Sequence, residues 1–130
     1  MANQITGIST DGRILLGATD PMCWPARTPF IIKDGEFKLL SINNRPEFAN
    51  YHYGADFFKE EKMSHNGKYI TFSFFGHNTH IPCVYDVEKD EFKILTEAPA
   101  ETGGKAVDNA GNVYYAGPMT TGFERKSYVT

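Results

Sequence analysis

The sequence lacks the features that mark a membrane protein or a nucleic-acid-binding protein. It has only two cysteines and one tryptophan, and no apolar stretch approaches the roughly 18 residues of a membrane span. Its 13 basic and 16 acidic residues are scattered along the chain and give a net charge of −3. Because there is neither a basic patch nor an acidic tail, we expect no nucleic-acid partner and no membrane span.

Motifs of catalysis and of targeting are also missing. No nucleophile elbow, phosphate-binding loop or dinucleotide fingerprint occurs in the 130 residues. We therefore predict a non-catalytic chain with no cofactor. Residues 1–4 have neither the basic start nor the apolar region of a signal peptide.

The composition is that of one folded domain spanning residues 1–130. Hydrophobic residues make up 41% and aromatic residues 14% of the chain, which is ample for a packed core and argues against disorder. The two cysteines, Cys23 and Cys83, fall at different positions relative to the turns that follow. We interpret them as buried thiols in preference to a disulfide, since cysteine packs as a small apolar residue.

The chain contains an internal repeat whose markers are turn glycines. Gly67 follows Gly12 by 55 residues, and Phe92 follows Phe37 by the same 55 residues. Because two independent markers agree, the repeat is unlikely to be chance similarity. A third glycine, Gly111, follows Gly67 at the shorter spacing of 44 residues.

Each glycine is typical of a hairpin turn between two short strands. Glycine after Asp or Asn suits a type I′ turn, because both central residues need positive φ. We predict such turns at Gly12, Gly67 and Gly111, at Asp34-Gly35, and around residues 88–90. Each unit then has four strands, and repeated four-stranded antiparallel sheets are the blades of a β-propeller. The expected fold is all-β, with blade-like units at about 4–40, 61–95 and 104–130 and a long connection at 41–60; a small β-barrel or sandwich is the alternative.

These units resemble the TolB-like (WD-repeat-like) propeller repeat. Its motif is Ser-Pro-Asp-Gly-Lys before an apolar strand, followed by a strand of the Val-Tyr-Asp type. The resemblance covers most of the chain outside the loops, although the motif's proline is absent from every unit and Ala110 stands where Asp is usual. The resemblance implies a blade fold, which occurs in peptidase regulatory domains, periplasmic binding scaffolds and exported proteins. The matching segments are Ser9-Thr10-Asp11-Gly12-Arg13, Ser64-His65-Asn66-Gly67-Lys68 and Val84-Tyr85-Asp86-Val87.

Two further features concern the ends of the units. Residues 55–62 favour a helical turn leading into the second unit, and residues 126–130 are expected to form the third strand of the third unit. A fourth strand would centre near position 136, beyond the sequence, so about two and three-quarter blades are expected. An unpaired sheet edge is a site of association, and we therefore expect either a longer parent protein or self-association through open β edges.

Strand alternation predicts where a binding site should lie. The tight turns should share one end of the sheets and the longer segments the other, and loops on a rigid scaffold commonly carry function. An aromatic-rich rim suits a protein, peptide or carbohydrate ligand; alternatively, these aromatic residues fill gaps between blades. The candidate ligand-binding residues are Trp24, Arg27, Tyr51, His52, Tyr53, His77 and His80.

The histidines and acidic residues do not predict a metal site. His77 and His80 lack the helix and glutamate of a zincin motif, and no clear third ligand follows. The alternating acids Asp86, Glu88 and Asp90 are interpreted as a solvated strand face.

The sequence therefore favours a binding or scaffold module within a larger exported protein, with a periplasmic or extracellular location preferred over the cytoplasm. Two alternatives remain: a non-catalytic accessory domain of a peptidase or glycan-processing enzyme, and a self-assembling β-protein that forms a ring.

Overall fold

The computed structural model describes residues 4–19, 28–41, 45–49, 58–76, 79–95, 103–116 and 123–127. In this part of the chain, strands form three antiparallel sheets, and each strand pairs with its neighbour in the sequence. The first sheet contains β1 (Gln4–Ile8), β2 (Ile14–Ala18), β3 (Pro29–Lys33) and β4 (Glu36–Leu39). The second contains β5 (Phe58–Met63), β6 (Tyr69–Gly76), β7 (Thr79–Asp86) and β8 (Glu91–Ile94). The third contains β9 (Gly103–Val107), β10 (Asn112–Ala116) and β11 (Phe123–Ser127).

The all-β fold with four-stranded antiparallel units is confirmed, with two corrections to the strand limits. The helical turn predicted over residues 55–62 is wrong where the structure describes it, because β5 begins at Phe58. Lys62 and Met63 pair with β6 across a bulge, so long-range pairing overrides the local preference. The described helical segment is a short 3-10 turn at Pro46–Phe48. The third strand of the third unit is β11, which starts three residues before the predicted 126–130.

The first turn of the first sheet is wider than the predicted type I′ turn. The Ser9 N–H donates to the Ile14 carbonyl (2.9 Å) and the Gly12 N–H to the Ser9 carbonyl (2.9 Å), so four residues form the loop. In this loop only Gly12 has positive φ, at 75°. Asp11 instead accepts hydrogen bonds from the Arg13 N–H (3.1 Å) and the Ser9 hydroxyl (2.8 Å). The Asp-Gly pair therefore builds a side-chain-supported turn in place of a type I′ turn.

The second sheet repeats this turn, and the third shortens it. Asn66 accepts from the Lys68 N–H (3.0 Å) and the Ser64 hydroxyl (2.8 Å), as Asp11 does in the first sheet. In the third sheet the Asp108 N–H donates to the Asn112 carbonyl (3.0 Å), which leaves a three-residue loop. The same backbone plan thus recurs in all three units.

The second hairpins of the first two sheets differ from each other. Asp34 and Gly35 have φ of 51° and 85°, which confirms the type I′ prediction at this turn. In the second sheet Asp86 pairs with Glu91, so the loop has four residues, and Asp90 takes the positive φ of 54°. Asp90 is thereby held in the left-handed region, a conformation that aspartate tolerates better than most residues.

The first turns of the three sheets contact one another. The Thr10 N–H donates to the His65 carbonyl (2.7 Å), and the Asn66 N–H donates to Asn109 Oδ1 (2.9 Å). These bonds confirm that the first turns lie together at one end of the sheets. Because strands alternate in direction, the strand ends joined by longer segments, such as Ala18, lie at the opposite end.

Two apolar cores lie between neighbouring sheets. The core between the second and third sheets contains Val84, Leu95, Val107 and Val113. The larger core lies between the first and second sheets. Its fully buried members include Leu16, Leu40, Phe48, Ile70, Phe72, Phe74, Cys83 and Tyr85.

The 3-10 turn contributes a key residue to the larger core. Phe48 is fully buried and makes edge-to-face contacts with Phe74 and Phe92, at centroid distances of 4.9 and 5.3 Å. Cys83 is buried in the same core, as the sequence predicts for a thiol; Cys23 lies outside the described residues.

A matched pair of glycine substitutions tests the contact between turns. Gly12 and Gly67 have nearly equal φ of 75° and 77°, so alanine at either position should cost about 1–2 kcal/mol in backbone strain. A Cβ at Gly67 would also lie 2.9 Å from Ile14 Cδ1 and from Ser9 Cβ, whereas one at Gly12 meets nothing within 4 Å. We expect Gly67→Ala to lower the free energy of unfolding by a further ~1–3 kcal/mol.

Urea unfolding of the two variants and the unsubstituted chain measures this difference. Equal losses of stability at Gly12 and Gly67 would show that the first two turns do not pack against each other as described.

Candidate functional site

The structure leaves most of the predicted binding residues untested. Trp24, Arg27, Tyr51, His52, Tyr53 and His77 lie outside the described residues. His80 belongs to β7, where its backbone pairs with Phe75, so the predicted loop over residues 76–80 is shorter than expected. The position of the His80 side chain is likewise outside the description.

Among the described residues, a charged groove runs between the first and second sheets at the tight-turn end. It consists of two adjoining recesses of about 310 Å³ and about 610 Å³, which share four lining residues. We call this feature the inter-sheet groove. The shared residues are Lys33, Asp34, Val87 and Glu88.

One wall of the inter-sheet groove is organised around the carboxylate of Asp90. Asp90 Oδ1 accepts hydrogen bonds from Lys38 Nζ (2.7 Å) and the Tyr85 hydroxyl (2.6 Å). Arg45 donates to Asp90 Oδ2 (3.4 Å) and to the Asp90 carbonyl (2.7 Å). Lys38 comes from the first sheet and Arg45 from the connection, so a single carboxylate links three segments of the chain.

Glu47 completes this network from the other side of Arg45. Glu47 Oε2 accepts from Arg45 Nη2 (2.9 Å) and from the Phe92 N–H (3.0 Å). The Arg45 guanidinium also lies 4.9 Å from the centroid of the Phe92 ring, within reach of a cation–π interaction. These contacts hold the 3-10 turn against the second sheet, with Phe48 beneath them.

The electrostatics of Asp90 follow from these partners. Burial acts to raise its pKa, but the hydrogen bonds from Lys38 and Tyr85 and the positive charges of Lys38 and Arg45 outweigh burial and lower the pKa to about 2. Burial and the hydrogen bond to Asp90 raise the pKa of Tyr85. Asp90 is therefore ionised over the ordinary range of pH, with Tyr85 as a neutral donor.

The remaining charges at this end pair with one another at the surface. Arg13 binds Asp34 through two hydrogen bonds of 2.9 and 3.1 Å, and Lys68 lies 3.7 Å from Glu88. Such exposed pairs contribute little to stability. Within the described ranges, no group of three His, Cys, Asp or Glu residues could hold a metal ion. The groove is thus a mixed-charge surface that links sheets, with no arrangement that indicates catalysis.

Sequence reasoning missed most of this network. It placed Asp90 on a solvated face, whereas Asp90 is the shared acceptor of the groove wall. One local signal was available, since proline at the first helical position followed by a glutamate marks a helix start, and Arg45 immediately precedes Pro46 and Glu47. The partners of Arg45 lie 45 residues away and have no local signature.

The Asp90 network gives a prediction for acid stability. Because the folded-state pKa of Asp90 lies below its ordinary value of 3.8, its carboxylate stabilises the fold above about pH 4, and this contribution is lost as the pH falls from about 4 towards 2. Since the Asp90 side chain is 46% exposed, we expect Asp90→Asn to cost at most about 1 kcal/mol near neutral pH. Part of the acid dependence should disappear with it.

Thermal unfolding over a pH series measures this effect. Glu91→Gln removes an exposed carboxylate from the same hairpin and is the matched control, which should keep the acid dependence. An Asp90→Asn variant with the acid dependence of the unsubstituted chain would contradict the role assigned to Asp90.

Comparison with known proteins identifies the fold. The sequence matches no protein-family model and no curated protein. Its structure is similar to that of TolB from Acinetobacter baumannii, with a TM-score of 0.63 and 16% identity over 98% of this chain and 30% of that one. It is also similar to a putative TolB from Agrobacterium tumefaciens, with a TM-score of 0.58 and 15% identity over 92% of this chain and 39% of that one.

A further match, to a luciferin-regenerating enzyme, has a TM-score of 0.47 and carries no argument. No helix among the described residues is long and apolar enough to cross a membrane. The chain spans between about a third and two-fifths of the length of the two TolB structures. At this level of identity the similarity concerns the fold, and this chain has the fold of a TolB-like β-propeller segment.

Proposed function

We propose that this chain is a non-catalytic binding or scaffold module whose ligand contacts the end of the sheets opposite the tight turns. The observation that supports the proposal is the difference between the two ends. At the tight-turn end, neighbouring turns bond to each other and the charged side chains largely bond to one another. A ligand would have to break these pairs before it could use them, which costs binding free energy.

The opposite end has the longer connections. The strand pairs Ala18–Pro29 and Leu39–Phe58 are joined there by segments longer than any tight turn. Longer loops on a stack of paired strands are the usual place for a binding site, because the strands hold the loop ends in fixed positions.

The residue types in these segments favour a ligand with apolar and hydrogen-bonding groups. Tryptophan and tyrosine provide a large contact area with little loss of side-chain entropy, and histidine and arginine add donors. A protein, a peptide or a carbohydrate fits this description. The residues proposed for the contact are Trp24, Arg27, Tyr51, His52, Tyr53, His77 and His80.

The parent protein is proposed to be longer than this chain and exported. The similarity to about a third of two TolB structures supports the first point, since it leaves room for further units of the same kind. An accessory domain in a peptidase or glycan-processing enzyme is the second candidate, and a catalytic domain in the same reading frame would favour it.

Ligand binding can be tested with two unbiased probes, a glycan array and a peptide library displayed on phage. Probes retained by the unsubstituted chain are then measured against two sets of variants. Trp24→Ala, Tyr51→Ala and Tyr53→Ala alter the loop end, and we expect each to weaken binding at least about tenfold if the residue is an anchor. Lys33→Ala and Lys68→Ala alter the tight-turn end and should leave binding unchanged.

The proposal makes the location of the site decisive. Retention of binding in all three loop-end variants, or its loss in the Lys33 and Lys68 variants alone, would move the site to the inter-sheet groove. Failure of both probe sets to bind the unsubstituted chain would remove the proposed ligand classes.

A further inference from the structure

The first sheet has an apolar outer face that is partly exposed. Cross-strand pairing places two rows of side chains on this face: Ile8, Leu15, Ile32 and Phe37 form one row, and Ile5, Gly17, Phe30 and Leu39 form the other. Four of these large apolar residues are about half exposed: Ile5 at 55%, Ile8 at 62%, Phe37 at 57% and Leu39 at 44%. We call this surface the outer flank. Contiguous exposed apolar surface of this kind marks an interaction site.

The internal repeat shows what normally covers such a face. The pair Ile32–Phe37 of the outer flank corresponds to the pair Tyr85–Phe92 of the second sheet, 55 residues later for the phenylalanine. Phe92 is 7% exposed, and Tyr85 is fully buried, because they lie in the core against the first sheet. Phe37, at the same place in its sheet, is 57% exposed. The outer flank is thus an interface of the same kind without its neighbouring sheet.

The turns give an independent sign of the same open position. Gly67 lies against Ser9 and Ile14 of the preceding turn, at a distance that leaves no room for a Cβ. Gly12 has the same backbone conformation, yet a Cβ there would meet nothing within 4 Å. The place that the first turn occupies beside the second turn is therefore open beside the first turn itself.

We infer that the outer flank binds a second copy of this chain, head to tail, so that the third sheet of one copy stacks on the first sheet of the next. The inference is independent of the proposed ligand site. Its basis is continuity with the two interfaces inside the chain, since the third sheet is the next donor in the series.

The direction of stacking follows from the faces that meet in the chain. Between the first and second sheets, the face with Ile14 and Leu16 packs against the face with Ile70 and Phe72. The outer flank is the second type of face, since Leu15 and Ile70 each lie three residues after their turn glycine. Val113 points into the core with the second sheet, so its neighbour Tyr114 lies on the outward face of the third sheet. That outward face is of the first type, and two outer flanks pressed together would pair like with like.

Sedimentation of the 130-residue chain over a broad concentration series tests the inference. We expect reversible association, with a dissociation constant raised at least about tenfold by Ile8→Lys and by Leu39→Lys, because each buries a charge in an apolar contact. These two positions lie on opposite edge strands and are exposed, so two independent variants address one surface. Ala49→Lys adds the same charge at an exposed position away from the outer flank and should associate normally.

A mixing experiment tests the head-to-tail direction. A fluorescently labelled Leu39→Lys chain keeps its third sheet intact, so it should co-sediment with unlabelled, unsubstituted chain even though it does not associate with itself. A monomer at every concentration would overturn the inference and assign the outer flank to a sheet of a longer polypeptide. Association unaffected by both lysine variants, or a labelled variant that sediments alone in the mixture, would also overturn it.

Discussion

The close approach of neighbouring first turns is the constraint on which the stacking of the sheets depends. Apolar faces can slide over each other at little cost, because the hydrophobic effect has no direction. A backbone hydrogen bond has direction, and the 2.7 Å bond from the Thr10 N–H to the His65 carbonyl fixes one sheet against the next. That bond requires Gly67 to lie against Ser9 and Ile14 without a Cβ. The glycine of the repeat therefore serves two purposes, the positive φ of its own turn and the approach of its neighbour.

The segment that connects the first two sheets adds a second restraint at their outer edge. Phe48 supplies apolar burial, while Arg45 and Glu47 on either side of it bond to the hairpin that carries Asp90. Burial of an aromatic ring accounts for most of the stabilisation, since the ion pairs are partly exposed. The polar contacts define where the ring goes, because only one placement of the 3-10 turn satisfies both the Asp90 carbonyl and the Phe92 N–H.

The repeat and the strands could be predicted from the sequence because their signals are local. Alternating apolar residues and turn glycines report on the residues that carry them, whereas the Asp90 network joins Lys38, Arg45 and Tyr85 over up to 52 residues. The error over residues 55–62 has the same origin, since pairing with β6 decides the conformation of β5. The turn type was wrong because an Asp-Gly pair cannot show that Asp11 will bond to Ser9 and Arg13.

The equal spacing of 55 residues conceals two differences that offset each other. The second hairpin closes over two residues after Lys33 and over four after Asp86.

The segment before that hairpin is correspondingly longer in the first sheet, where Ala18 pairs with Pro29, than in the second, where Gly76 pairs with Thr79. Loops vary because they lie outside the stack, and the aligned glycines and phenylalanines persist because both lie at contacts between sheets. Burial is consequently a property of the position in the stack as well as of the repeat. Phe92 and Phe37 occupy one place in the unit, and the presence of a neighbouring sheet decides which of them is core and which is surface.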